Sequence, residues 1–196
     1  MRGTILTPEC CTAEPLEERA VKRFTPLALG AILAAAFAAA PAQADEIFGG
    51  LYVHDVDTFL TKSGVENGAD VQLGWRGDRI GSTPLQPYAF AAANTSGQTN
   101  YAAVGLSAKF GDRVFVRPGL GIAAHTGSAE DFQDPTNDEV EFGSRVLFEF
   151  ELGIGARIND RMSIEASWVH LSHGQLFGKQ NPGMDNIGAR LTVSLP

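Results

Sequence analysis

Cysteine is nearly absent from this chain of 196 residues: the two present, Cys10 and Cys11, are adjacent and close to the N-terminus. Both precede a segment that reads as an export signal, so the exported chain is expected to hold none, and a disulfide framework is excluded. The apolar run from Leu27 to Ala40, about 14 residues, falls short of the roughly 20 that a membrane-spanning helix requires. Basic charge is also scarce, with 15 Lys and Arg against 23 Asp and Glu and a formal net charge of −8. That balance argues against nucleic acid as a partner. His54 and His125 have no ligand partners at metal-binding spacing and read as loop or surface residues. Asp131, Asp134, Asp138, Glu139 and Glu141 do not follow the EF-hand spacing and read as a solvated loop. No metal or cofactor is expected.

What is present begins with the export signal. Lys22 and Arg23 precede the apolar run, and Ala42-Gln43-Ala44 ends it with small residues where a signal peptidase cleaves. Residues 1–44 are therefore expected to form a leader removed after Ala44, leaving 45–196 as one domain. The leader's acids (Glu9, Glu14, Glu17, Glu18) and bases (Arg2, Arg19, Lys22, Arg23) cancel, so the negative charge belongs to that domain.

Beyond Ala44 the chain reads as a series of strands with hardly any helical period. Alternating or β-rich runs fall near 47–56, 69–77, 87–94, 99–110, 114–124, 144–157, 162–172 and 185–195. Several exceed the five or six residues of an ordinary strand and approach the 9–11 of a tilted membrane strand. Val71, Leu73 and Trp75 alternate with Asp70, Gln72, Gly74 and Arg76, giving each strand one apolar and one polar face. Turns at Gly111-Asp112 and Asn159-Asp160 are tight, whereas 125–143 and 173–184 are long and polar; the stretch 77–86 is longer than this pattern favours. The fold predicted is an all-β, eight-stranded antiparallel transmembrane β-barrel in a Gram-negative outer membrane, its long loops external. Glu149, Glu151 and Glu165 are expected in the lumen, paired with Arg145, Arg157 or Arg190.

The segment SWVHLSHGQLFGKQNPGMDNIGARLTVSLP, Ser167 to Pro196, carries the candidate chemistry. His170 and Ser172 stand two apart on a strand and so share a face. Asp185 opens the next alternating run, on the same face as Ile187, Ala189 and Leu191. Serine, histidine and an orienting carboxylate are the parts of a nucleophilic hydrolase. Here they lie on the apolar side of the sheet, with Ile164, Ala166 and Trp168, near the external end of the barrel.

From His170 to Arg190, through HLSHG, NPG and Asp185, the chain resembles the lipid A 3-O-deacylases, the PagL family of Gram-negative outer membranes. The resemblance extends more weakly over the remaining barrel. It implies Ser172 as nucleophile, His170 as general base and Asp185 as the acid that orients the histidine. It further implies Asn181 as an oxyanion donor, with a backbone N–H near Gly174. The family usually carries glutamate where Asp185 stands and asparagine where His173 stands, and the loop here is one residue longer. The implied reaction is hydrolysis of the ester that links a hydroxyacyl chain to the 3-position of lipid A. The implied partners are lipopolysaccharide as substrate and outer-membrane lipids as surroundings; the sequence leaves open whether a second copy joins it in a homodimer. Near the phosphorylated substrate, Lys179 and Arg190 are close in sequence, but Arg190 falls on the polar, lumen-facing side. Trp168 reads equally as a belt aromatic or a substrate contact.

Two other classes fit parts of the pattern. A non-enzymatic outer-membrane barrel would need no serine. A soluble lipocalin-like barrel would turn its apolar faces inward, which the polar alternates Gln72, Glu149, Glu151 and Arg190 oppose.

Overall fold

The computed structural model describes residues 46–61, 64–176 and 181–196. The expected leader, with its expected cleavage point after Ala44, and Lys179 lie outside them. Nine strands follow in order: β1 (Glu46–Val53), β2 (Ala69–Arg76), β3 (Leu85–Asn94), β4 (Tyr101–Ala108), β5 (Phe110–Gly111), β6 (Val114–His125), β7 (Val146–Arg157), β8 (Met162–Ser172) and β9 (Met184–Ser194). β5 is a two-residue rung against Val116 and Phe115. The other eight are the staves of a closed barrel in which sequence neighbours pair antiparallel, β4 pairs with β6, and β1 closes on β9. Among the described residues there is no helix.

The barrel's two ends differ as the turn chemistry requires. Residues 77–84, 109–113 and 158–161 connect strands at the end where β1 begins, and 54–68, 95–100, 126–145 and 173–183 at the other. The stretch 77–86, which looked too long, is shortened by an early start of β3 at Leu85 and by turn bonds from Ile80 N to Leu85 O (2.8 Å) and Thr83 N to Ile80 O (3.1 Å).

The outer wall is apolar. Leu51, Val71, Leu73, Val104, Leu120, Ile122, Ile154 and Ile164 are all exposed, forming the belt by which a barrel is held in lipid. The interior is polar and filled, which rules out the lipocalin-like arrangement. Buried charges need partners, and the lumen supplies them. Arg190 Nη2 lies 2.7 Å from Glu151 Oε2, and Arg76 Nη2 lies 3.2 Å from Glu151 Oε1. Glu46 Oε2 accepts from Arg76 and Arg117, each at 3.1 Å, and Arg117 Nε stands 3.4 Å from Glu165. Of the three arginines expected to pair with lumenal glutamates, only Arg190 does so. Arg145 and Arg157 stand at exposed strand ends, where Arg145 donates to the Gly127 carbonyl and Arg157 pairs with Asp112. Glu149 takes the phenolic hydrogen of Tyr88 instead of an arginine.

The first strand ends three residues before the expected 56. At Asp55 the backbone turns to a φ of 50°, and the Asp55 carboxylate accepts from the N–H groups of Val65 (2.8 Å) and Glu66 (2.9 Å). These bonds tie off the first external loop. His54 and His125, expected as loop or surface residues, are both buried, His54 in the loop after β1 and His125 at the end of β6. His54 lies between Asp70 (2.8 Å from Nδ1) and Glu66 (2.9 Å from Nε2). His125 packs against the Phe142 ring at 4.4 Å and meets the Ser144 carbonyl at 2.6 Å. The acidic loop is folded on itself: Glu141, itself buried, accepts from Asp134 N (2.7 Å) and Asn137 Nδ2 (3.2 Å).

Candidate active site

On the outer face of β8, near its external end, His170 Nε2 lies 3.0 Å from Ser172 Oγ. His170 is also the direct cross-strand partner of Asp185 in β9, and its Nδ1 lies 2.8 Å from Asp185 Oδ1. A serine, a histidine and a carboxylate thus form one continuous hydrogen-bonded row. With the carboxylate on Nδ1, the favoured tautomer leaves Nε2 as the acceptor for the serine proton, the arrangement that activates a hydroxyl as nucleophile.

The row faces outward but is not bare. His170 is 9% exposed, Ser172 8% and Asp185 0%, because the first external loop crosses the end of β9. Val56 N donates to the Asp185 carbonyl at 2.7 Å, and Asp55 N donates to Asn186 Oδ1 at 2.9 Å. Thr61 Oγ1 then donates to Asp185 Oδ2 at 2.7 Å, and Thr58 Oγ1 donates to the same oxygen. Sequence reasoning missed both threonines. The available signal was positional: the connection after the first strand opens at the same end of the barrel as 173–184.

Trp168 has a contact that neither sequence reading of it included. Its indole Nε1 donates to Asp185 Oδ1 at 2.9 Å. Its ring stands 6.0 Å from that of His170 and 6.4 Å from that of Phe59, which is 90% exposed at the loop tip. Phe150, 6.3 Å from His170, and Ile187, exposed and paired across the ladder with Trp168, add apolar surface beside the row.

After Ser172 the chain makes a tight turn in which Gly174 and Gln175 have φ of 58° and 60° and Leu176 N returns to His173 O at 3.0 Å. Positive φ at both central positions defines a type I′ turn, and the glycine supplies the first at no steric cost. His173 is fully buried, and its backbone N–H donates to Asn181 Oδ1 at 2.9 Å. Asn181 is thereby fastened to the segment that follows the serine. Gly174 is exposed at the turn. Among the described residues no group of three or more His, Cys, Asp or Glu forms a metal-binding cluster.

The barrel is similar in fold to solved outer-membrane proteins. The crystal structure of the outer membrane enzyme PagL superposes with a TM-score of 0.54 at 20% identity, over 76% of this chain and 99% of that one. Neisserial surface protein A gives 0.47 at 12% identity, over 76% of this chain and 96% of its own. The Yersinia pestis outer membrane protein Ail gives 0.43 at 14%, over 76% and 99%. No curated protein sequence matches. The sequence pattern of the family described as lipid A 3-O-deacylase (PagL) matches residues 63–194, a span that begins in the first external loop and takes in seven of the eight staves together with His170, Ser172 and Asp185. This outer-membrane β-barrel therefore belongs to the lipid A 3-O-deacylase (PagL) family.

Proposed function

We propose that the chain is a lipid A 3-O-deacylase that works as a serine esterase, with Ser172 as nucleophile, His170 as general base and Asp185 as the orienting acid. The observation that carries this reading is the row Ser172–His170–Asp185, joined at 3.0 and 2.8 Å, on the lipid-facing side of the barrel. Family membership supplies the substrate class.

The reaction follows from these positions. His170 Nε2 takes the Ser172 proton as Oγ attacks the ester carbonyl. The tetrahedral intermediate collapses as the sugar 3-oxygen leaves with the proton held by His170, forming an acyl-enzyme. Water then attacks that acyl group, His170 again acting as base, and the hydroxy fatty acid departs. The developing oxyanion needs aimed donors, each contributing about 2.7–4 kcal/mol in a dry site. Asn181 Nδ2 and the backbone near Gly174 take that role. The His173 N–H is already committed to Asn181 Oδ1, and this bond fixes the plane of the asparagine amide. Phe59, Phe150, Trp168 and Ile187 supply apolar surface for the acyl chains, so the bilayer itself presents the substrate.

The test is mass spectrometry of lipid A from cells expressing the full chain, beside cells expressing Ser172→Ala at equal outer-membrane levels. Loss of one hydroxyacyl chain only with the intact serine is the expected result. Identical spectra from two correctly inserted proteins would assign the chain to the non-enzymatic barrels.

A further inference from the structure

The carboxylate of Asp185 is held from two sides by different parts of the chain. Oδ1 accepts from His170 Nδ1 (2.8 Å) and Trp168 Nε1 (2.9 Å), both on β8. Oδ2 accepts from Thr61 Oγ1 (2.7 Å) and Thr58 Oγ1, both on the first external loop. An ionised carboxylate only accepts and offers about four lone-pair sites, so these four donors fill it.

We propose that Thr58 and Thr61 are positioning residues for the deacylase reaction, through which the first external loop fixes the acid that orients His170. The inference rests on the serine-esterase reading above. Its physical basis is rotational: a carboxylate turns readily about its terminal torsion. The two β8 donors act on one oxygen alone. Hydroxyls on the other oxygen stop the group from swinging and leave no buried oxygen unpaired.

The direction of the Thr58 hydroxyl is also determined. Its oxygen already accepts from Leu60 N (3.0 Å) and Thr61 N (3.4 Å), so its single hydrogen is available for Asp185. The loop is anchored independently of these hydroxyls, by Asp55 N to Asn186 Oδ1 and by the Asp55 carboxylate on Val65 N and Glu66 N. Removing the Thr61 hydroxyl therefore leaves the loop in place, whereas removing that of Thr58 also frees Leu60 N and Thr61 N, so Thr61→Val is the cleaner of the two tests. The aspartate, one methylene shorter than glutamate, meets His170 on one side while the loop approaches from the other.

The experiment uses the full chain in membranes containing lipopolysaccharide, measuring initial rates of hydroxy fatty acid release. Thr58→Val, Thr61→Val and the double variant remove the hydroxyls with little change of shape, while Thr58→Ser and Thr61→Ser keep them and remove a methyl. Displacement of a catalytic group by about 1 Å can cost roughly a hundredfold. The expected result is a fall in kcat on the order of tenfold for each valine variant and a hundredfold for the double, with apparent KM unchanged and serine restoring most of the rate. A role in packing alone would reverse the order, because serine loses the methyl. Wild-type kcat in the valine variants, or equal loss in the serine variants, overturns the inference while Ser172-dependent release still stands. Absence of Ser172-dependent release from the wild-type chain overturns the esterase reading and this inference with it. If the double variant does not fold, the single variants decide.

Discussion

His170 and Asp185 face each other directly across the β8–β9 ladder, Nδ1 to Oδ1 at 2.8 Å. Directly opposed residues on one face have Cβ atoms roughly 4.5–5.5 Å apart, a gap that an aspartate and an imidazole close without a further methylene. The short side chain of Asp185 therefore reaches His170 across the ladder.

Asp185→Asn tests this orientation. The amide fits the same space but can present N–H to Nδ1, which favours the imidazole tautomer that cannot accept the serine proton. The loss seen for such a change in a serine protease triad is about 10⁴ in kcat, and a comparable fall with a correctly folded barrel is expected here. A rate within tenfold of wild type would show that Asp185 does not orient the base.

His54 gives a pH dependence of stability independent of catalysis. Burial pushes its pKa down, but hydrogen bonds and charges from Asp70 and Glu66 outweigh burial and raise it to about 9. A folded value above the unfolded one means that the stabilisation is fully present below about 6.5, declines as pH rises from there, and is gone once pH passes about 9. Its size is on the order of 3 kcal/mol. The midpoint of urea unfolding in detergent is expected to fall across that window in the wild-type chain and to stay flatter in His54→Gln. Parallel curves for the two proteins would refute the assignment.

Arg190 tests the lumenal network. Its guanidinium meets Glu151 at 2.7 Å and stacks 4.5 Å from the centre of the Phe48 ring. Removing one partner of a buried ion pair typically costs about 3–5 kcal/mol. Arg190→Met is expected near the lower end, because Arg76 still faces Glu151. Adding Glu151→Gln to that variant should recover part of the loss in a double-mutant cycle on unfolding midpoints. Additive losses would mean that the pair is not coupled.

How far the sequence could be read follows from the range of each interaction. The eight staves were legible because alternation is local, and β8 was bounded correctly at both ends. The juxtaposition of His170, Ser172 and Asp185 was legible because two lie at i and i+2 and the third on the next strand. Arg76 as a partner of Glu151 was not, since the two are 75 residues apart and meet only once the barrel closes. Thr58 and Thr61 were hidden for the same reason, at 127 and 124 residues from Asp185. His54 looked like a loop residue because its burial depends on Glu66 returning beneath it.

Asn181 separates two roles that one side chain combines. Its Oδ1 accepts the His173 N–H at 2.9 Å and so holds the segment after the nucleophile, while its Nδ2 is the proposed donor to the oxyanion. Asn181→Asp keeps the acceptor and replaces the donor with a second negative charge beside the developing one. Asn181→Ala removes both functions. If the donor matters, the aspartate variant folds with the same thermal midpoint as wild type yet loses about 10²–10³ in kcat, the cost of one oxyanion donor, and the alanine variant is no more active. If the asparagine serves only to fasten the loop, the aspartate variant retains its rate and alanine alone is impaired. Comparing kcat for the two variants at equal folded amounts decides between these roles.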